Sequence, residues 1–308
     1  PTGVLVEAIT NTNTSSTTAN QLLDADSDTK IQVEESSDED KIRFDVAGTE
    51  EMVMDATGIV INDGSNDRDF RIESNGLSHA LFVDGGSDKV IINHTANVGQ
   101  AGVAPMFQVH GTGSATSSIS ATRNSNDTGG PYLILSKSRG TSTGAVTVVQ
   151  DDDILGQIMF AGADGGDLAP VGASIQAFVD GTPGTDDMPG RLVFSTTADG
   201  AQTATERMHI DASGNVGIGV DPDALLHVKH AGGGFDEIAR LTSVANSAGD
   251  GAFLGFHGNS TSKFYGFIGG YDIGTNEGGV KIGVGNGETA IADSMTKMTI
   301  DHDGFVGI

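Results

Sequence analysis

The chain has 308 residues, with 45 Gly, no Cys and no Trp, and aromatic residues make up only 5% of it. Sixteen Lys and Arg stand against 42 Asp and Glu, a formal net charge of −26. The absence of Cys excludes disulfides, Cys-ligated zinc and thiol catalysis. The acidic balance argues against a binder of phosphate backbones, and no apolar run is long enough for a membrane-spanning helix.

Residues 1–30 read as a linker or attachment segment. The first 23 are rich in Thr, Ser and Asn, which suits a stretch ordered only within an assembly. Pro1-Thr-Gly-Val lacks a basic-then-apolar signal segment and an initiator Met, the expectation for a processed piece of a longer product. The segment Asp24-Ala-Asp-Ser-Asp-Thr-Lys-Ile-Gln-Val-Glu-Glu35 resembles an EF-hand loop. Asp24, Asp26, Asp28 and Glu35 fall on ligand positions one, three, five and twelve, and Ile31 on the apolar eighth. Thr29 stands where the sharp turn wants Gly, and no amphipathic helices flank the loop. An acidic β-turn leading into a strand at Ile31–Val33 is therefore the preferred reading. Ca2+ is the one cation the loop would take, and no cofactor is required.

Residues 31–104 read as a shaft of short hairpins. Apolar residues alternate at Ile31 and Val33, at Ile42, Phe44 and Val46, and at Met52 and Met54, with Val60 following. Alternation of period two marks half-buried strands. One punctuated motif then recurs through the chain. Its best copies are Met208-His-Ile-Asp-Ala-Ser-Gly-Asn-Val-Gly-Ile218 and Met298-Thr-Ile-Asp-His-Asp-Gly-Phe-Val-Gly-Ile308. Earlier ones are Met52-Val-Met-Asp-Ala-Thr-Gly-Ile-Val60 and the longer-turned Leu81-Phe-Val-Asp-Gly-Gly-Ser-Asp-Lys-Val-Ile-Ile92. Asp bonds to its own backbone two residues on, and Gly accepts positive φ, so Asp-x-x-Gly predicts a tight hairpin turn. A hairpin this short is marginal alone and must be completed by neighbouring repeats or other chains.

Residues 105–219 and 220–308 read as two larger β knobs, each ending in the same hairpin. Pro105-Met-Phe-Gln-Val-His110 resembles Ala224-Leu-Leu-His-Val-Lys229, and Tyr132-Leu-Ile-Leu135 falls near Ala252-Phe-Leu-Gly255. Further strands are expected around Ile154–Phe160, Ala173–Val179 and Arg191–Ser195, and one helical turn at Thr203–Arg207.

Few residues suggest chemistry. Gly140-Thr-Ser-Thr-Gly144 matches Gly-x-Ser-x-Gly, but a β-like Ala145–Val149 follows where a nucleophile elbow needs a helix. Eight His are scattered, and one per chain around a threefold axis would be needed for a metal site. Carboxylate pairs at glycosidase spacing are unavoidable among 42 acidic residues. Tyr132, Tyr265 and Tyr271 are the candidates for stacking on a ligand, with packing inside the knobs as the preferred alternative.

Thr205-Glu-Arg-Met-His-Ile-Asp-Ala-Ser-Gly-Asn-Val-Gly-Ile-Gly219 and the following Asp221-Pro-Asp-Ala-Leu-Leu-His-Val228 resemble the repeat region of bacteriophage tail fibres and tailspikes. Asp28–Asp45 is similar to segments of such proteins. The resemblance implies homotrimers of intertwined or side-by-side β structure projecting from a virion, and often a C-terminal self-cleaving intramolecular chaperone of the endosialidase type. That domain is not within these 308 residues. The last motif stops one residue short of the counterpart of Gly219, as expected if a chaperone was removed or the sequence ends early.

The expected fold is thus all-β: elongated, repetitive hairpins with two sandwich- or prism-like knobs in a homotrimer. The expected function is a non-enzymatic virion fibre, extracellular, that binds other tail proteins and a host-surface glycan or protein receptor. It needs neither nucleic acid nor membrane insertion. A polysaccharide-depolymerising tailspike and a bacterial surface adhesin or filament subunit are the alternatives.

Overall fold

The computed structural model describes residues 21–33, 35–36, 38–62, 64–230, 232, 238–241, 251–257, 264–274, 277–283, 296–301 and 303–308. All regular structure among them is β, in several separate sheets, as the alternation predicts. The chain divides into two units, Pro1–Val216 and Gly217–Ile308.

The first sheet of the first unit is an antiparallel meander of β1 (Gln21–Leu23), β2 (Lys30–Val33), β3 (Ile42–Val46), β4 (Thr49–Asp55) and β5 (Gly58–Ile61). It already includes part of the expected attachment segment. Val46 pairs with Thr49, so the β3–β4 turn is the two residues Ala47 and Gly48, at φ 49° and 78°. Two successive positive φ angles match the right-handed twist of a hairpin.

Register sorts this sheet into two unlike faces. Leu22, Ile31, Phe44, Met52 and Ile61 are successive cross-strand partners, and so are Val33, Ile42, Met54 and Ile59. Between them run Gln32, Arg43, Val53 and Val60. The polar-bearing face is the buried one at its centre, where Gln32, Arg43 and Val53 are 1%, 7% and 6% exposed, while Val60 at the edge strand is exposed. On the apolar face Leu22, Ile31, Val33, Ile42, Met54, Ile59 and Ile61 are all exposed. The alternation is where the sequence puts it, but its apolar side has no cover in the chain among the described residues.

The second sheet contains β6 (Phe70–Ile72), β7 (Leu81–Asp84), β8 (Lys89–Ile92) and β9 (Phe107–Val109). Its last pairing, β8 with β9, is parallel. A parallel pair needs a crossover, here residues 93–106, and the Gln108 side chain pins it. Gln108 Oε1 accepts from Val98 N–H at 3.1 Å, and Nε2 donates to Asn97 Oδ1 at 2.6 Å and Pro105 O at 3.0 Å. Phe82 and Ile91 pair across β7 and β8 and are 6% and 0% exposed. This sheet therefore extends past residue 104, into the expected first knob.

Next come β10 (Ile154–Ala161), β11 (Val171–Val179), β12 (Gly190–Thr196) and β13 (Thr205–Ile210), antiparallel in sequence order. The three strands expected before residue 200 are present. The helical turn expected at Thr203–Arg207 is not: Thr205–Ile210 pairs with β12, because Met208 and Ile210 continue a period-two pattern opposite Phe194 and Leu192. Arg191 anchors the end of β12. Its guanidinium lies 4.7 Å from the Phe178 ring centroid and reaches Asp152 at 2.6 Å and Asp180 at 3.2 Å.

The unit boundary falls within β14 (Val216–Ile218). The second unit continues through β15 (Leu226–Val228), where Lys229 N–H donates to Ile218 O at 3.0 Å. It then forms an antiparallel sheet of β16 (Gly251–His257), β17 (Phe264–Gly274), β18 (Glu277–Gly283), β19 (Thr296–Ile300) and β20 (Val306–Gly307).

The repeated motif forms the same device four times. Asp55 Oδ1 accepts from Thr57 and Gly58 N–H, and Asp84 Oδ1 from Gly86 and Ser87 N–H. Asp211 Oδ1 accepts from Ser213 and Asn215 N–H, and Asp301 Oδ1 from Asp303 and Phe305 N–H. The best-matched pair close with matching bonds, Asp211 N–H to Asn215 O and Asp301 N–H to Phe305 O, and place Gly214 and Gly304 at φ 84° and 83°. The long-turned copy places Asp88 at φ 58° instead, a residue that tolerates the left-handed region. Hydroxyl and N–H donors hold Asp55 and Asp84 below the usual carboxylate range, and the Asn215 N–H does the same for Asp211.

Candidate functional site

The acidic loop is the β1–β2 connection, a hairpin rather than a helix-flanked loop. Asp24 N–H donates to Thr29 O at 3.0 Å, and Thr29 N–H returns a bond to Asp24 Oδ1 at 3.2 Å. Carboxylate oxygens of Asp24, Asp26 and Asp28 lie within 4.8 Å of one another, all on exposed residues. Glu35, the expected fourth ligand, is not in that group. Its Oε2 sits 3.8 Å from Arg43 Nε instead.

Arg43 is the centre of a second polar cluster. It pairs with Glu50 at 2.7 Å, and with both carboxylate oxygens of Glu39, one of them at 3.0 Å. The Arg43 side-chain hydrogen bonds hold Glu39 well below its usual range, at about 2. This network neutralises Arg43 with carboxylates of its own sheet, while the buried Gln32 Nε2 beside it has no hydrogen-bond partner among the described residues.

Tyr132 is 78% exposed. The side chains of Tyr265 and Tyr271 lie outside the described residues. The stretch Gly140–Gly144 is a turn. Ser138 Oγ accepts from Gly140 and Thr147 N–H, and Gly144 has φ 81° with no helix after it. His94 and His110 rings lie 4.8 Å apart, and burial followed by the His94 charge lowers the His110 pKa. His302 lies outside the described residues, as does the His257 side chain.

The hairpins' need for completion by neighbouring repeats or other chains, read from the sequence, has its counterpart in an exposed apolar surface, whose location the sequence did not give. Among the described residues seven hydrophobic side chains are buried, while forty large ones are exposed. Single exposed apolar residues are normal, but contiguous patches mark interaction sites. Three patches stand out, all in the first unit. One is the apolar face of the first sheet. The second is residues 110–153, which contain no strand; within them Tyr132, Leu133 and Ile134 are 78%, 82% and 76% exposed. The expected correspondence of Tyr132–Leu135 with Ala252–Gly255 thus fails structurally, because only the latter lies in a strand. Ala145–Val149, expected to be β-like, is likewise irregular. The third patch is β10, which ends its sheet and exposes Ile158, Met159 and Phe160. A groove of about 650 Å3 lies beside it, lined by Val103, Pro105, Met159, Phe160 and Leu168 among others. The signal available in the sequence was the scarcity of aromatic residues, which leaves too little bulk to cover this surface from within.

No family model matches the chain, and no curated protein matches it. Solved structures similar to it include two of one tail fibre. One is the carboxy-terminal domain of the bacteriophage T5 L-shaped tail fibre, with a TM-score of 0.31 and 14% identity, covering 62% of this chain and 90% of that one. The other is that domain with its intra-molecular chaperone domain, with a TM-score of 0.30 and 14% identity, covering 61% and 62%.

Proposed function

We propose that this chain is a non-enzymatic, self-associating fibre component of a phage virion: a homotrimer, extracellular, joined to other tail proteins and presenting loops to a host-surface glycan or protein. One observation carries the reading. The first sheet pairs Arg43 of its polar face with its own carboxylates and leaves its apolar face bare. Seven exposed residues on that face offer roughly 700 Å2 per copy, close to the ~800 Å2 per partner of a standard interface. Identical copies would bury that area without matching any foreign surface. The motif ending Gly-Asn-Val-Gly-Ile-Gly supports the phage assignment through its resemblance to fibre repeats. Loops on a rigid β scaffold suit receptor recognition, and three copies would multiply a weak site.

Sedimentation equilibrium on the full chain tests this first, with a trimer mass expected throughout the micromolar range. A well-folded monomer would overturn the reading. Binding of the labelled trimer to host-range bacteria, without release of reducing sugars from their polysaccharide, tests attachment and the absence of depolymerase activity.

A further inference from the structure

Residues 90–122 are the longest stretch of the chain without Asp, Glu, Lys or Arg, and their only titratable side chains are His94 and His110. This stretch holds the β8–β9 crossover. The two rings stack there with centroids 4.8 Å apart and planes tilted by 39°. His110 is half-buried and His94 is exposed. β9 ends its sheet, and three residue pairs with β8 are its only pairing among the described residues.

Hydrogen bonds fix the proton on each ring. Gln108 Oε1 is set as an acceptor, because it takes Val98 N–H while Nε2 donates to Pro105 O. His110 Nε2, 3.1 Å from that oxygen, therefore carries the ring proton, and Nδ1 is left as the basic atom. His94 Nδ1 is 2.9 Å from Ala96 N and 3.0 Å from Ala96 O. Neutral, it accepts from Ala96 N–H. Protonated, it loses that bond and donates to Ala96 O instead. Acid thus rearranges the turn at residues 94–96 and sets two like charges ring to ring.

The charged groups on neighbouring elements have other partners. On β8, Lys89 stands opposite Asp84, at the end of the strand away from His94. Asp69, Arg71 and His79 line a pocket with Thr95. There Asp69 accepts from Gly85 N–H at 3.2 Å, Arg71 pairs with Glu73 at 2.9 Å, and His79 Nδ1 bonds with Ser78 Oγ at 2.9 Å. Asp167 lines a groove with Asn97 and accepts from Ala169 N–H at 2.8 Å. The charge that acts on His110 is that of His94.

We propose that His94 and His110 form an acid-sensitive latch on the β8–β9 crossover: neutral, the pair holds β9 against β8, and protonated it releases β9 and the strandless stretch that follows. Burial, and then the His94 charge, hold His110 below its ordinary 6.5. The opened state takes up its proton at that ordinary value. It therefore binds more protons than the closed state as pH falls, and acid favours opening. The loss begins near 6.5 and grows until pH reaches the lower value of the closed state. The latch uses one chain's own groups and does not depend on the fibre reading.

Hydrogen exchange on the full chain tests it, read as protection factors so that the pH dependence of intrinsic exchange cancels. Between about pH 7.5 and about pH 5, wild-type peptides covering 90–110 are expected to lose protection at least about tenfold, while those covering β11 and β12 hold theirs. His94→Asn keeps an acceptor for Ala96 N–H, His110→Gln keeps a donor for Gln108 Oε1, and neither replacement titrates. The double variant is expected to keep its protection over the same range to within about twofold. Flat wild-type protection, or an equal fall in the double variant, overturns the latch. Titration of the ring protons in the wild type needs no variant to fold. His110 is expected to titrate below 6.5, and a His110 that titrates at or above it overturns the latch as well.

Discussion

Gln32 of β2 and Arg43 of β3 stand opposite each other in the first sheet, and both are buried on the face that the alternation would leave polar and wet. The burial works because Arg43 brings its own counter-charges in Glu39 and Glu50. Glu39 is held at about 2, below its ordinary 4.5. A depressed carboxyl stabilises the fold above its unfolded value and loses that contribution as pH falls through its folded value. The thermal midpoint of the wild type is therefore expected to fall between about pH 4.5 and pH 2. Arg43→Ala should lower the midpoint at pH 7 and flatten the curve across that window. Scanning calorimetry of both proteins from pH 7 to pH 2 decides it, and parallel curves would show that the pair carries no such coupling.

Gly214 and Gly219 both have positive φ, 84° and 71°, but their surroundings differ. A Cβ on Gly214 meets nothing within 4 Å, whereas one on Gly219 meets Lys229 O at 2.5 Å. Gly214→Ala is expected to cost only the left-handed penalty, about 1 kcal/mol, and Gly214→Asn less, since Asn tolerates that region. Gly219→Ala adds a backbone clash in the second unit and should cost more than Gly214→Ala. Urea unfolding of the three variants checks the ranking. Equal losses for the two alanine variants would count against the Lys229 clash.

These turns show what the sequence makes legible. Asp55, Asp84, Asp211 and Asp301 accept the bonds that their spacing from Gly or Ser predicts, because a turn is settled by residues within four positions of one another. The strands around 154–160, 173–179 and 191–195 were legible for the same local reason. The cover over Ile31, Ile42 and Ile59 was not. Alternation says that a strand has an apolar side, and it is silent on whether that side meets the same chain. Tyr132–Leu135 was set beside Ala252–Gly255 as a repeat, but a strand needs a partner, and none is described for Tyr132–Leu135 within the chain. The acidic loop was half legible. The aspartates do converge, but Glu35 was taken by Arg43, a residue eight positions away on the next strand.

Ile31 and Ile91 separate the two kinds of apolar position. Ile91 is fully buried, so Ile91→Ala removes buried methylenes and leaves a cavity, at a cost of about 2–5 kcal/mol. Ile31 is 41% exposed and Ile59 58%. The double variant Ile31→Ser with Ile59→Ser should leave the secondary structure of the protein intact while weakening assembly, raising the dissociation constant at least about tenfold if the bare face is an interface. Circular dichroism and sedimentation velocity read the two effects separately. Unfolding of the double variant at a concentration where the wild type is dissociated and folded would instead assign that face to the interior of one chain.

Asp24, Asp26 and Asp28 converge closely enough for a cation, but the loop is closed without one. The Asp24–Thr29 pair of bonds fixes its ends, and Thr29 Oγ1 accepts from Ala47 N–H at 3.2 Å, tying it to the β3–β4 turn. A calcium loop of high affinity recruits a bidentate twelfth-position Glu, and here that Glu faces Arg43. Moving it to the cluster would strip Arg43 of one counter-charge. Chelator is therefore expected to leave the thermal midpoint unchanged, and millimolar Ca2+ to shift it by less than about 1 °C, because a weak site contributes little until the ion greatly exceeds its dissociation constant. Differential scanning fluorimetry with and without chelator measures this directly. A fall of several degrees on chelation, abolished by Asp26→Asn, would show that the three aspartates hold a structural ion after all and that Glu35 leaves Arg43 to complete it.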